Sequence, residues 1–208
     1  GATIETCISL SERYAEAVSE LLELPVYLYA ESARSNQRVR LPDIRRGEYE
    51  GLQSKITSSE WFPDYGSAEF KPRMGATATG ARQILIAYNV NLDTSDKKKA
   101  NAIAGTIRTS GVILRDENGD KVEDVDGNPV RKPGMFQSLQ AAGWMYNEDT
   151  AQVSMNLLDH NVTGLHTVTE AIRTEAGNIG LKAEAGELVG LVPLTAMISA
   201  GRHYHNEP

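Results

Sequence analysis

The chain has 208 residues, 40% hydrophobic and 24% charged, with a net charge of −7. That composition suits a soluble globular fold of one large core or two smaller ones, and the acidic balance excludes a general nucleic-acid binder, which needs a basic footprint. No apolar run approaches the roughly 20 residues that span a bilayer, the opening GATIETCISLSERYAEAV has no signal-peptide pattern, and the single Cys7 leaves no intrachain disulfide. A protein of the reducing cytoplasm, bound to neither membrane nor nucleic acid, is expected.

The first element is a helix capped by Thr3, with Ile4, Cys7, Ile8, Tyr14, Val18, Leu21 and Leu22 expected on its inward face. Pro25 ends it, and Val26–Ala30 (VYLYA) reads as a buried strand. An amphipathic helix this close to Gly1, with no initiator Met, leads us to expect that upstream sequence belongs to the same protein. Residues 31–80 read mostly as loop, with a short helix over 43–52 after Pro42. Five arginines (Arg34, Arg38, Arg40, Arg45 and Arg46) face one acid, Asp43, and Lys71, Arg73 and Arg82 follow. The group is either a solvated loop or an electropositive mouth for a small polyanion, since arginine grips carboxylates bidentately. The stretch 61–80 carries prolines 63 and 72 and glycines 66, 75 and 80, the composition of a linker or binding loop.

From residue 82 the pattern sharpens. Gln83–Leu92 alternates as a strand, with Ile84, Ile86, Tyr88, Val90 and Leu92 on one face and Asn89 and Asn91 on the other. A helix capped by Asp93 or Thr94 follows, turning Ala100, Ile103, Ala104 and Ile107 inward. Asn118-Gly119 and Asp126-Gly127 are hairpin-turn dipeptides. Strands are expected over 139–146 and 151–158, then a helix capped by Thr163 bearing Leu165, Val168, Ile172 and Ala176. A last strand over 188–194 leads to a short helix near Ala196. Strand, helix, strand, strand, helix, strand is the split βαβ order of a ferredoxin-like fold. Residues 1–60 read as the tail of another α/β unit.

Few motifs carry chemistry by themselves. Residues 116–128 (DENGDKVEDVDGN) do not keep calcium-loop spacing, and 75–80 (GATATG) lacks the Gly-Lys-Ser/Thr ending of a phosphate loop. His203 and His205 near the chain's end have no third metal ligand beside them and read as a frayed tail. His160 and His166 flank the start of the second helix, where a neutral imidazole could serve as a hydrogen-bond partner. The residues alone support two α/β units, a Gly/Pro-rich loop and a pocket for an anionic ligand, without naming a reaction.

Several long strings go further. LPVYLYAESAR (24–34), LPDIRRGEYEGL (41–52), EWFPDYGSAEFKPRMGATATGARQILIAYNVNL (60–92), AQVSMNLLDHNVTGLHTVTEAIRTEA (151–176) and ELVGLVPLTAM (187–197) are similar to the glutamate formiminotransferase domain. The resemblance is weakest around 113–133. It implies an α+β fold of two ferredoxin-like (βαββαβ) subdomains, the first incomplete here. The organisation would be 1–60 for the remainder of the first subdomain, 61–81 for a connecting and ligand loop, and 82–208 for the second subdomain.

The implied activity is transfer of a formimino group from formiminoglutamate to tetrahydrofolate, the co-substrate, in histidine breakdown. Some relatives instead move a formyl group between folate and glutamate. The folate stretch aligns with Gly66, Ser67, Ala68, Glu69, Phe70, Lys71, Pro72, Arg73, Met74 and Gly75. Lys71 and Arg73 suit carboxylates, and Phe70 or Met74 suits an aromatic ring of the ligand. The family's general base is a histidine in an H-P-R-x-G segment expected upstream of Gly1, so no catalytic residue is assigned within 1–208. The resemblance further implies a homo-oligomer or a partner segment completing the first subdomain. The rival expectations are a folate-binding or assembly subunit without catalysis, and an amino-acid-binding regulatory module.

Overall fold

The computed structural model describes residues 2–205, and the chain divides into two compact units, one up to Gln83 and one from Ile84 on. Among the described residues no helix is long and apolar enough to cross a membrane.

The first unit opens with α1 (Ile4–Leu22), capped by Thr3, whose Oγ1 accepts the Thr6 N–H at 3.2 Å. Its buried residues are Ser11 and Ala15, flanked by the half-buried Ile4, Cys7, Ile8 and Val18. Tyr14, Leu21 and Leu22, expected inward, are instead exposed. Small side chains let the helix lie close: the Ser11 and Ser32 hydroxyls meet at 2.8 Å, and Ala15 packs on Val26 and Leu28. An apolar second stripe of Leu10, Tyr14 and Leu21 therefore faces outward.

Strand β1 (Val26–Leu28) is fully buried. It is shorter than the expected 26–30, because Ala30 takes a left-handed φ of 55° and opens a 3-10 turn over Ala30–Ser32. A second 3-10 turn spans Asn36–Arg38. The single helix expected over 43–52 is two, α2 (Leu41–Ile44) and α3 (Glu48–Ile56). Gly47 separates them at φ 87°, a conformation only glycine adopts cheaply. Lys55 rejoins them by donating to the carbonyls of Asp43 (3.0 Å), Ile44 and Arg46 (3.2 Å), its ammonium 3.8 Å from the Trp61 ring centroid. A 3-10 turn over Ser59–Trp61 leads to the glycine-rich stretch. There β2 (Thr77–Thr79), which periodicity did not reveal, pairs in parallel with β1 from Val26↔Thr77 to Leu28↔Thr79.

The second unit begins with β3 (Ile86–Leu92), three residues later than expected. Helix α4 (Lys97–Ile107) is capped by Asp96. Asp93, one of the two expected caps, accepts the Lys182 N–H instead at 2.7 Å, and Thr94 accepts the Asp96 N–H. The short strands β4 (Val112–Ile113) and β5 (Arg131–Lys132) bracket two tight turns. At each turn one carboxylate, Asp116 or Asp124, accepts two backbone N–H groups around a left-handed Gly119 or Gly127. Strands β6 (Leu139–Met145) and β7 (Ala151–Leu157) come next, then α5 (Leu165–Asn178), β8 (Ala183–Val189) and α6 (Leu194–His205). Thr163 does not cap α5: Gly164 holds that position, and the Thr163 hydroxyl donates to the Gln137 carbonyl at 2.6 Å. The last strand lies five residues earlier than expected, because Gly190 turns the chain at φ 82° before α6 begins.

The expected order of strand, helix, strand, strand, helix, strand is present as one antiparallel sheet, β6-β7-β3-β8. Ile86, Val90 and Leu92 of β3 share a core with Leu139, Val153, Met155 and Leu157, and with Ile103 and Ile107 of α4 and Val168 and Ile172 of α5. Both helices thus cover one face of the sheet. The other face carries Asn89, Asn91, Trp144, Gln152, Ser154 and Glu187 and is not covered by either helix.

Candidate ligand site

The ten residues Gly66–Gly75 leave β1 and return to it. On the outgoing side the Val26 N–H donates to the Tyr65 carbonyl at 2.9 Å, while the N–H groups of Asp64 and Tyr65 donate to the Val26 carbonyl. On the return side the Thr77 N–H donates to the Pro25 carbonyl at 2.9 Å as β2 starts. Glycine is required at the departure point. Gly66 has φ 81°, and a Cβ there would lie 2.6 Å from the Leu24 carbonyl oxygen. Both ends of the loop are therefore set by one buried strand.

Within the loop the Lys71 carbonyl accepts the N–H groups of Met74 (3.0 Å) and Gly75 (2.7 Å), which closes a tight turn. Tyr49, on α3, anchors that turn: its hydroxyl donates to the Pro72 carbonyl, and its ring meets Phe70 with centroids 5.6 Å apart. Below lies a groove of about 340 Å³. Its walls include Tyr27 of β1, Ile44 and Arg45 beside Gly47, Tyr49 and Leu52 of α3, and Met74 with Gly75 from the loop itself. Apolar walls beside a few charged groups suit a flat, partly polar ligand.

The ten expected ligand residues form this one contiguous loop, but they are not equivalent. Lys71 is neutralised by Glu69 (3.1 Å) and Glu23 (3.4 Å), whose hydrogen bonds and charges hold its ammonium pKa above the usual lysine range. Arg73 is exposed and makes no ion pair among the described residues, so of the two it is the cation available to a carboxylate. Met74 lines the groove half exposed, and Phe70 is occupied by Tyr49.

The arginine group does not form a single positive mouth. Arg34 leans on Glu12 and Tyr65, Arg40 and Arg46 lie against Asp43, and Arg38 is buried against Asp64 at 2.7 Å. Arg45 alone of the five reaches the groove. Sequence reasoning missed Tyr49 as a site residue and offered Arg45 only as one of five arginines, although both lie in the string 41–52.

A second feature lies on the open face of the sheet in the other unit. The Glu187 carboxylate accepts from Asn89 (3.1 Å) and Gln152 (3.3 Å), and Gln152 donates to Asn91 at 2.8 Å. With Trp144, Tyr146, Ser154 and Val189, the side chains of Asn89, Gln152 and Glu187 border a groove of about 520 Å³. The alternation of Asn89 and Asn91 marked this face as polar, but the matching residues on β7 and β8 come together only in the sheet.

The histidines lie elsewhere. His166 of α5 stacks on His203 of α6, ring centroids 4.5 Å apart, so residues 203–205 are helical and not a frayed tail. Burial first, and His203 second, press the His166 pKa below the ordinary imidazole value, against a smaller opposing pull from Glu170. Among the described residues no group of three or more His, Cys, Asp or Glu side chains is placed to hold a metal.

Comparison with known families matches both units. The model of the formiminotransferase domain covers residues 87–208, and that of its N-terminal subdomain covers residues 1–82. The chain belongs to the formiminotransferase domain family. It is 42% identical over 205 residues to formimidoyltransferase-cyclodeaminase of Mus musculus, covering 98% of this chain and 35% of that protein. Its identity to the protein of the same name in Dictyostelium discoideum is 39% over 203 residues. Glutamate formimidoyltransferase of Streptococcus pyogenes serotype M1 is 34% identical over 203 residues, covering 97% of this chain and 60% of that protein. The chain thus spans about a third of the first two formiminotransferase relatives and 60% of the third.

Proposed function

We propose that this chain carries the folate loop and the second subdomain of a glutamate formimidoyltransferase, which moves a formimino group from formiminoglutamate to tetrahydrofolate in histidine degradation. The observation that carries the reading is the loop Gly66–Gly75. It is anchored at both ends on β1, stapled by Tyr49, bordered by an apolar groove that Arg45 lines, and it carries the exposed Arg73. In this reading the groove receives a ring of the folate, and Arg73 pairs with a carboxylate of the glutamyl tail or of the amino-acid substrate. In the second unit the ladder of Asn89, Gln152 and Glu187 is a separate polar surface with amide and carboxylate groups of its own. Its strand order supports reading the second unit as a ferredoxin-like subdomain.

The reaction needs a base to take a proton from the attacking nitrogen of tetrahydrofolate. No H-P-R-x-G string occurs in residues 1–208, and the resemblance assigns that histidine to an upstream segment. His166 is committed to the α5–α6 contact and is not assigned the role. The test joins the upstream segment of a relative to this chain and measures formimino transfer. Turnover that appears on joining and disappears when the segment's histidine is replaced supports the proposal. Turnover by the 208-residue chain alone at a comparable rate refutes the assignment of the base. Folate binding without turnover in either form favours a binding subunit.

A further inference from the structure

We propose that Arg38 and Asp64 form a buried clasp whose task is to position the ligand loop, which makes both positioning residues; the functional part of this inference rests on the folate reading of Gly66–Gly75. Arg38 comes from the 3-10 turn Asn36–Arg38, far in sequence from the loop. Its side chain is 9% exposed and that of Asp64 is 4% exposed, and they meet at 2.7 Å. A second guanidinium nitrogen donates to the carbonyls of Phe62 (2.7 Å) and Glu60 (3.3 Å). The guanidinium also lies over the Tyr27 and Trp61 rings, at 5.3 and 6.0 Å from their centroids. One fork thus grips the segment 60–64 at three points.

Asp64 carries the grip to the strand. The oxygen that accepts from Arg38 also accepts the Leu28 N–H at 2.8 Å. Tyr27 adds a parallel tie, its hydroxyl donating to the Trp61 carbonyl at 2.7 Å, with burial pushing its pKa up to about 12. The loop starts two residues after Asp64.

Stability alone does not account for this arrangement. A well-packed apolar pair of similar volume commonly matches or exceeds a buried ion pair, because desolvating two charges offsets much of their attraction. What an apolar pair cannot supply is direction. The planar fork fixes two carbonyls and one carboxylate at set angles, and with them the path along which the chain enters Gly66. Errors near 1 Å in a positioning element can cost about a hundredfold in function.

Three forms of the 208-residue chain test this: Arg38→Lys, the double variant Arg38→Met/Asp64→Leu, and Ile56→Val, which loosens the same unit's buried interior with no hydrogen bond to residues 60–66. Calorimetry with tetrahydrofolate, kept reduced, reads affinity. Hydrogen exchange of the backbone amides in 62–75, without ligand, reads loop order. Arg38→Lys is expected to weaken binding about tenfold or more and to speed exchange across 66–75, with exchange in β3–β8 unchanged. The double variant is expected to show both defects together with a lower unfolding midpoint, because the Leu28 N–H and the Phe62 and Glu60 carbonyls lose their partners, and Ile56→Val to show a lower midpoint and neither defect. A double variant with wild-type affinity and exchange overturns the proposal, as does loss of affinity in Ile56→Val equal to that in Arg38→Lys. Should the clasp variants fail to fold, the unaltered chain decides. The amides of Asp64 and Tyr65 are expected to exchange as slowly as those of β1, and rates typical of an exposed loop overturn the clasp. A wild-type chain that binds no tetrahydrofolate overturns the folate reading, and the exchange measurements then judge the clasp separately.

Discussion

Replacing Lys55 by Met breaks the tie between α2 and α3 and so loosens one wall of the candidate groove. The Lys55 ammonium donates to three backbone carbonyls around the end of α2 and lies over the face of Trp61. Burial lowers its pKa first and the nearby Arg46 second, and Asp43 opposes both, so its carboxylate works with the carbonyls and the indole face to keep the charge in place. A hydrogen bond from a charged donor contributes about 1.5–3 kcal/mol when it stands alone, and a cation–π contact about 0.5–1 kcal/mol at an exposed site. The three bonds share one ammonium, and water enters the adjoining groove bordered by Gln37, Asp43, Arg46 and Glu60, so they do not add. Methionine keeps much of the apolar contact with Trp61. The expected net loss is about 2 kcal/mol, or roughly 8–16 °C in the midpoint of a unit of this size.

The chain has two tryptophans, Trp61 and Trp144. In a Trp144→Phe background, urea unfolding followed by emission therefore reports Trp61 alone. Lys55→Met should lower the first unit's midpoint by that amount and alter Trp61 emission before unfolding. Tetrahydrofolate affinity should fall as well, since Ile44 and Tyr49 are the walls that loosen. A loss below about 0.5 kcal/mol, the range of neutral surface changes, with unchanged emission would show that water replaces the ammonium without cost and refute the reasoning.

Gly66→Ala should cost about 3 kcal/mol or more in the first unit, because left-handed strain is joined by a Cβ placed 2.6 Å from the Leu24 carbonyl oxygen; denaturant midpoints check it. Arg73→Ala should weaken tetrahydrofolate binding by about 1–3 kcal/mol if the guanidinium meets a desolvated carboxylate, whereas Lys71→Ala, already paired with two glutamates, should change it by less; calorimetry giving the reverse order would reassign the anion contact. The lowered His166 pKa sets a sign for pH. The folded state disfavours the imidazolium, so this contribution is fully present above the ordinary value of about 6.5 and is lost as pH falls toward the lower folded value. Unfolding midpoints of the wild type should therefore drop through that window more than those of His166→Phe, and parallel curves would count against it.

The second unit was legible in the sequence because its elements are long and their periods agree with its core. Ile86, Val90 and Leu92 at period two, and Ile103, Ile107, Val168 and Ile172 at helical spacing, all reach the buried cluster. The first unit was harder to read. Thr77–Thr79 lacks alternation and becomes a strand only because β1 offers it a parallel edge. On α1 the buried residues are Ser11 and Ala15 while Leu21 is exposed, since closeness of approach, and not hydrophobicity, selects that face.

The site divides in the same way. Its loop was visible as a run of glycines and prolines with a family resemblance, because turn chemistry and long idiosyncratic strings are local properties of the chain. The sequence by itself thus determined the family, the α+β class, the order of elements in the second unit and the ten-residue loop. Tertiary structure alone decided which cations are available. Arg38, Lys71 and Arg73 are indistinguishable as letters, yet one is sealed against Asp64, one is neutralised by Glu69 and Glu23, and only the third stands exposed without an ion pair among the described residues. Charge is written in the residue type, but desolvation and pairing depend on neighbours up to 48 positions away, and only the folded chain brings those together.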